Sequence, residues 1–255
     1  MKYKALMLDI DGTTVPYDYE ALPSDRVTEA IRKAQEKVAV CLATGRSYGF
    51  ILSILKKLNM HSGYVIVDMG ARVVDIATEE LLYDRPIEDE DVHAVIDVFE
   101  KEGITYYLKQ KLHTTRFTNK PHKKGQAFKK VYMFYTEEDC SLEKAEEIEK
   151  ELSKYPSLTV HKTRHKNPNK YGFNITHVNA TKLRGIEILM EKLNLKREEI
   201  IGVGDNYNDF PLLMASGFKV AMGNAVEDLK AIADYIAPSV DEDGVADVIE
   251  KFILS

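Results

Sequence analysis

Short apolar runs that stop at a polar residue alternate along this chain with segments of helical period, and that alternation constrains the fold more than any other feature. Ala5 to Leu8 is such a run and stops at Asp9; Val38 to Ala43 is another and stops at Thr44. Uninterrupted apolar runs with polar ends suit strands buried on both faces. Between them, Ser24 to Glu36 places Val27, Ala30, Ile31 and Ala34 at the i, i+3, i+4, i+7 spacing of an amphipathic helix, capped by Ser24 or Asp25. After Gly45 the period is helical again through Ile51, Ile54, Leu55 and Leu58, and Tyr64 to Val67 and Arg72 to Ile76 then look like strands flanking Gly70. Strand, helix, strand in repetition predicts an α/β fold, a parallel sheet layered by helices.

From about Asp84 to Asn179 the texture changes. An acidic helix is expected at Asp89 to Glu102, strands at Ile104 to Leu108, Val131 to Tyr135 and Leu158 to His161, and a second helix at Leu142 to Leu152 between the last two strands. That mixture suggests an α+β module, residues 84–179, inserted into an α/β domain made of residues 1–83 and 180–255. The alternation then resumes with a helix at Lys182 to Leu193, a strand at Ile200 to Val203, a helix after Asp209, a strand near Val220 to Met222 and a final helix from Val245. A chain of 255 residues has room for this division.

Composition narrows the partners. Thirty-five Lys and Arg against 41 Asp and Glu leave a net charge of −6, so nothing global recruits nucleic acid or an anionic membrane. No apolar stretch approaches the roughly 20 residues of a membrane helix, and carboxylates interrupt the N-terminal run too early for a signal peptide. Cys41 and Cys140 read as reduced, buried thiols, and the expectation is a cytoplasmic protein. His113, His122, His161 and His165 show no metal-ligand spacing. Tyr106, Tyr107, Tyr132 and Tyr135 fit packing within the inserted module better than a nucleic-acid stacking platform.

The chemistry gathers at the predicted strand ends. Asp9-Ile-Asp11-Gly12-Thr13 puts two carboxylates where a buried strand turns, and in open α/β sheets that edge binds ligands. The run is no EF-hand, because Gly12 stands at its fourth position, and no phosphate-binding P-loop motif occurs anywhere. Gly204-Asp205-Asn206-Tyr207-Asn208-Asp209 repeats the pattern after Ile200 to Val203. Two acidic clusters at one edge repel each other without a cation, and such oxygen donors suit Mg²⁺. Thr44-Gly45-Arg46 at another strand end and Lys182 at a helix start offer a hydroxyl, backbone N–H groups and a cation to a phosphoryl group. Singly, each has a plainer explanation: turn and cap chemistry for the Asp and Asn residues, a turn for Thr44-Gly45, a solvated surface position for Lys182.

In order and spacing, Asp9-Ile-Asp-Gly-Thr13, Thr44-Gly-Arg46, Lys182 and Gly204-Asp-Asn-Tyr-Asn-Asp209 resemble the four motifs of the haloacid dehalogenase superfamily of phosphohydrolases. The run Ala215-Ser-Gly-Phe-Lys-Val-Ala-Met-Gly-Asn-Ala225, followed by Asp243-Gly-Val-Ala246, is similar to its Cof-type subgroup, whose inserted cap lies between the second and third motifs. One departure stands out: that subgroup usually carries Asn before the Gly-Ala after the third strand, and here the residues are Met69-Gly70-Ala71.

The resemblance implies a Rossmann-like parallel-sheet core with a class IIB cap, and a Mg²⁺-dependent phosphatase of small phosphate monoesters such as sugar phosphates. Asp9 is then the nucleophile that forms an aspartyl-phosphate, and Asp11 the general acid and base. Asp9, the Asp11 backbone carbonyl and Asp205 hold Mg²⁺, and Asp209 binds it or orients Lys182. Thr44, Gly45, Lys182 and Asn208 contact the phosphate. The partner is a small phosphorylated metabolite, and the chain a monomer or homodimer. Two alternatives stay open, a phosphosugar mutase or phosphotransferase and a regulator that binds phosphorylated ligands without turnover. Lys109 to Lys130 holds eight Lys or Arg and no acid, and Val160 to His177 adds four more cations without an acid, so Arg116, Lys123, Lys124, Arg164, His165 and Lys166 are candidates for favouring anionic or hydroxyl-rich substrates, against the plainer reading of solvated loops.

Overall fold

The structure is a computed structural model describing residues 2–112, 127–137, 139–163 and 169–255. In chain order it begins β1 (Ala5–Leu8), α1 (Asp25–Gln35), β2 (Ala39–Ala43), α2 (Tyr48–Lys57), β3 (Tyr64–Val67), β4 (Arg72–Asp75) and β5 (Leu81–Asp84). There follow α3 (Asp89–Lys101), β6 (Tyr106–Lys109), β7 (Met133–Thr136), α4 (Leu142–Leu152), β8 (Leu158–Thr163) and β9 (Gly172–His177). The chain closes with α5 (Lys182–Leu193), β10 (Ile200–Gly204), α6 (Phe210–Ala215), β11 (Phe218–Ala221), α7 (Glu227–Ala231), β12 (Tyr235–Ile236) and α8 (Gly244–Ile249). Two compact units result, Met1–Tyr83 with Thr181–Ser255, and Asp84–Ala180.

The first unit is built on an eight-stranded sheet of order β12-β11-β10-β1-β2-β3-β4-β5. The strands from β12 to β3 pair in parallel, each buried run covered by helices as its apolar sequence requires. Helix α1 buries Val27, Ala30, Ile31 and Ala34, and the Ser24 hydroxyl caps it by accepting from the Val27 N–H at 3.1 Å. The parallel sheet expected from the alternation carries an antiparallel addition, since β3 and β4 pair antiparallel. Only Asp68 to Ala71 join those strands, and a parallel pair needs a crossover of about a dozen residues.

The second unit is a four-stranded antiparallel sheet, order β6-β7-β9-β8, with α3 and α4 contributing to its core. Val92, Val95, Ile96 and Phe99 of α3 and Ala145, Ile148 and Leu152 of α4 share a core with Phe134, Phe173 and Ile175. Phe99 is its centre, stacked on Tyr106 at 5.7 Å between ring centroids and 6.1 Å from both Phe134 and Phe173. Tyr107 and Tyr135 pack together across β6 and β7, centroids 6.0 Å apart.

Four elements escape the sequence pattern. Strand β5 has no fully buried residue, β9 is buried at all but one position and so shows no two-residue period, and α7 and β12 span too few residues to show one. Cys41 and Cys140 are free and buried, and burial pushes their thiols up to about 12 and about 11. Among the described residues no helix is long and apolar enough to cross a membrane. Arg116, Lys123, Lys124, Arg164, His165 and Lys166, with His113 and His122, lie outside the described residues. His161 is half-buried on β8, and burial lowers its proton affinity.

Candidate active site

Strand β1 leads through α1 to β2 on one side, whereas the chain returning through α5 enters β10 on the other side of β1. The topology therefore reverses between β1 and β10, and at such a switch point the carboxyl ends of the strands leave a crevice for ligands. Leu8 is level with both Leu42 and Val203, so the residues that follow β1, β2 and β10 arrive at one edge. These are Asp9, Thr44 and Asp205.

Helix α5 brings the fourth piece. Thr181 caps it, its hydroxyl accepting from the Arg184 N–H at 3.1 Å, so Lys182 is the first helical residue and is 3% exposed. Its ammonium donates to Asp9 Oδ1 and, at 2.5 Å, to Asp209 Oδ1. Asp209 is fully buried, and its Oδ2 accepts the Asp205 and Asn206 N–H groups at 3.0 and 3.1 Å. Asp205 accepts from the Thr13 hydroxyl at 2.9 Å and, through Oδ2, from the Tyr17 hydroxyl. Gly12 turns here at φ +79°, with Asp205 and the Tyr17 ring too close for any side chain.

Ligand atoms of Asp9, Asp205 and Asp209 lie within 4.8 Å of one another. Burial, then the Asp209 charge, holds the Asp9 carboxyl well above the usual carboxylate range against the opposing pull of Lys182. Asp205 is pushed up to about 7, first by burial and also by Asp209. Burial opposes charge on Lys182, yet Asp209 and Asp9 raise its proton affinity above normal. Three buried carboxylates facing one ammonium form a donor set that fits a divalent cation: hard oxygen ligands whose shared negative charge one lysine does not balance.

The other expected residues divide. Asp11 is turned to Arg46, whose Nε donates to both carboxylate oxygens at 3.0 Å while Nη1 and Nη2 donate to the carbonyls of Tyr19 and Asp18 at 3.0 and 3.1 Å. Thr44 is buried, its hydroxyl accepting from the Arg46 N–H at 3.0 Å, and Gly45 follows it at the same edge. Asn208 is exposed and outside the buried cluster. The plainer surface reading of Lys182 is wrong, because the helix start faces the acidic edge rather than water.

Four contributors carry no role in the sequence pattern. Thr13 and Arg46 stand inside the Asp9–Thr13 and Thr44–Arg46 motifs. Asn224 stood in the run ending at Ala225, and its amide donates to the Gly12 carbonyl at 2.8 Å while its oxygen accepts the Val240 N–H at 2.8 Å. Tyr17 carries no pattern at all, and only the turn at Gly12 brings it to Asp205.

Comparison with known proteins bears on family and fold. Residues 6–249 match the family model of the haloacid dehalogenase-like hydrolases. The chain is 27% identical to the Bacillus subtilis 5-amino-6-(5-phospho-D-ribitylamino)uracil phosphatase YcsE, across 98% of this chain and 96% of that protein. A haloacid dehalogenase-like hydrolase from Bacteroides thetaiotaomicron superposes with a TM-score of 0.83 at 26% identity, covering 99% of this chain and 100% of that one. The subclass IIB sugar phosphatase BT4131 shares the fold, with a TM-score of 0.77 at 24% identity over 98% of each chain.

Proposed function

Because this chain belongs to the haloacid dehalogenase-like hydrolases, we propose that it is a Mg²⁺-dependent phosphatase of small phosphate monoesters, sugar phosphates or similar metabolites, acting through an aspartyl-phosphate on Asp9. The observation that carries this reading is the buried group of Asp9, Asp205 and Asp209 around the single ammonium of Lys182 at the switch-point edge. The relative named for its action on a phosphoribityl compound supports the substrate class.

In the first step an Asp9 oxygen bonds to phosphorus as the ester oxygen leaves, and Asp11 gives that oxygen its proton. In the second, a water attacks the same phosphorus, its proton passes to Asp11, and the Asp9–phosphorus bond breaks to return the carboxylate and release phosphate. One difficult displacement thus becomes two easier ones. Asp9, Asp205, Asp209 and the Asp11 carbonyl would hold the cation. Bound there, Mg²⁺ supplies positive charge that offsets repulsion between the nucleophile and the phosphate. The Thr44 hydroxyl and Gly45 N–H take phosphoryl oxygens, Lys182 neutralises charge shared by Asp9 and the phosphate, and Asn208 reaches the phosphate from the exposed side. Arg46 orients Asp11, and the unit Asp84–Ala180 serves as the cap that selects substrates.

The test is phosphate release from a panel of sugar phosphates, nucleotides, phosphoglycolate and a chromogenic ester, with Mg²⁺ and with chelator. Release that requires Mg²⁺ and falls by several orders of magnitude in Asp9→Asn, with the fold retained, is the expected result. Near wild-type turnover by Asp9→Asn refutes the nucleophile assignment, and silence across the panel refutes the phosphatase.

A further inference from the structure

The link between β3 and β4 holds three consecutive residues at positive φ: Asp68 at 52°, Met69 at 60° and Gly70 at 108°. Left-handed backbone at two successive non-glycine residues is unfavourable, and it persists only where surrounding contacts over-determine it. Tight hairpin turns also use positive φ, but they place Gly, Asn or Asp there, and Met69 is none of these. What the conformation achieves is to drive Asp68 fully inside. There its N–H donates to the Arg46 carbonyl at 2.9 Å, its Oδ1 accepts from the Ser47 hydroxyl, and its Oδ2 accepts from Arg72 Nε at 2.6 Å.

The same turn touches two parts of the site. The Met69 sulfur lies against Gly45, 2.6 Å from where a Cβ on that glycine would stand. On the other side, Gly70 meets the backbone of Thr181, whose carbonyl carbon is 2.2 Å from the corresponding Cβ position. Thr181 caps α5 and immediately precedes Lys182. One strained turn is thus wedged between the Thr44–Gly45 segment and the start of the helix that carries the buried ammonium.

We infer that Asp68-Met69-Gly70 is a positioning element for phosphate binding: it sets the Gly45 N–H and the Lys182 ammonium at a fixed separation, with Met69 as the spacer on the Gly45 side. This rests on the phosphatase reading and adds to it a role for residues that touch neither metal nor phosphate. A spacer of this kind acts on where the phosphate's donors stand, so its loss weakens ground-state binding of phosphate more than it slows the chemical step.

The experiment measures the dissociation constant of inorganic phosphate by calorimetry in the presence of Mg²⁺, together with KM and kcat on a chromogenic phosphate ester and the melting temperature. Met69→Gly removes the spacer and relieves the backbone; Met69→Leu keeps the volume. Met69→Gly is expected to bind phosphate about tenfold more weakly, the size of one hydrogen bond to a charged group, with KM raised in proportion, kcat little changed and the melting temperature level or higher. Met69→Leu restores affinity to within about twofold of wild type. Wild-type phosphate affinity in Met69→Gly overturns the inference, and so does weaker binding that only accompanies a lower melting temperature. If wild type neither binds nor releases phosphate, the phosphatase reading fails and this inference with it; binding by wild type with an indifferent variant overturns the positioning role alone.

Discussion

Replacing Lys182 by Met removes one charge from the centre of the site while nearly conserving length and volume, so little of its effect comes from a cavity. Lys182, Asp9 and Asp209 are 3%, 4% and 0% exposed, and the ammonium serves both carboxylates. At an effective dielectric constant near 20, two unit charges about 4 Å apart attract by about 4 kcal/mol. Two such attractions are lost and the cost of burying the lysine is recovered. The net fits the 3–5 kcal/mol, roughly, of breaking a buried pair from one side. In a chain of this size that lowers the melting temperature of metal-free protein by about 6–20 °C. The stranded carboxylates then bind a cation without the repulsion of a neighbouring ammonium, so Mg²⁺ should bind Lys182→Met more tightly than wild type and recover part of the loss. Calorimetric scans of both proteins in chelator and across a Mg²⁺ titration measure the two effects. A metal-free melting temperature within about 2 °C of wild type, or a weaker Mg²⁺ response in the variant, refutes the electrostatic account.

Asp205, raised from 3.8 to about 7, makes the folded state hold an extra proton between those values, so its contribution to metal-free stability falls as pH rises through that window. Mg²⁺ should therefore stabilise the protein more at the alkaline end than at the acid end, and a larger shift in acid refutes this. Tyr17→Phe deletes the hydroxyl that a cation must displace from Asp205 Oδ2; Mg²⁺ affinity by calorimetry should rise about tenfold, and an unchanged affinity means that hydroxyl does not compete. Phe99→Ala empties the centre of the second unit's core and should cost about 3–5 kcal/mol, seen as lost amide-exchange protection in α3 and β6 to β9; a loss below about 1 kcal/mol means that core repacks.

Much of the fold is legible because burial writes a period into sequence. Ala5–Leu8 and Ile200–Gly204 are unbroken apolar runs because both faces of a central strand are covered, and α1 shows its buried stripe at helical spacing. The misses occur where that coupling weakens: β5 has no fully buried residue, and α7 is too short to repeat.

The acidic strand ends, the hydroxyl-glycine pair after β2 and the lysine at a helix start were present as residue types at fixed places in the chain, since strand ends and helix caps are local events. Their meeting was not local. Only the pairing of β1 with β10, across almost two hundred residues, brings Asp9 beside Asp205 and sets both carboxylates near the Lys182 ammonium. Arg46 against Asp11, Tyr17 against Asp205 and the Met69 turn against Gly45 belong to the same class, because each contact depends on backbone direction in space. Sequence by itself determined which groups are available and on which elements they stand. Tertiary structure alone decided which of them share a buried environment, and so whose charges and hydrogen bonds are coupled.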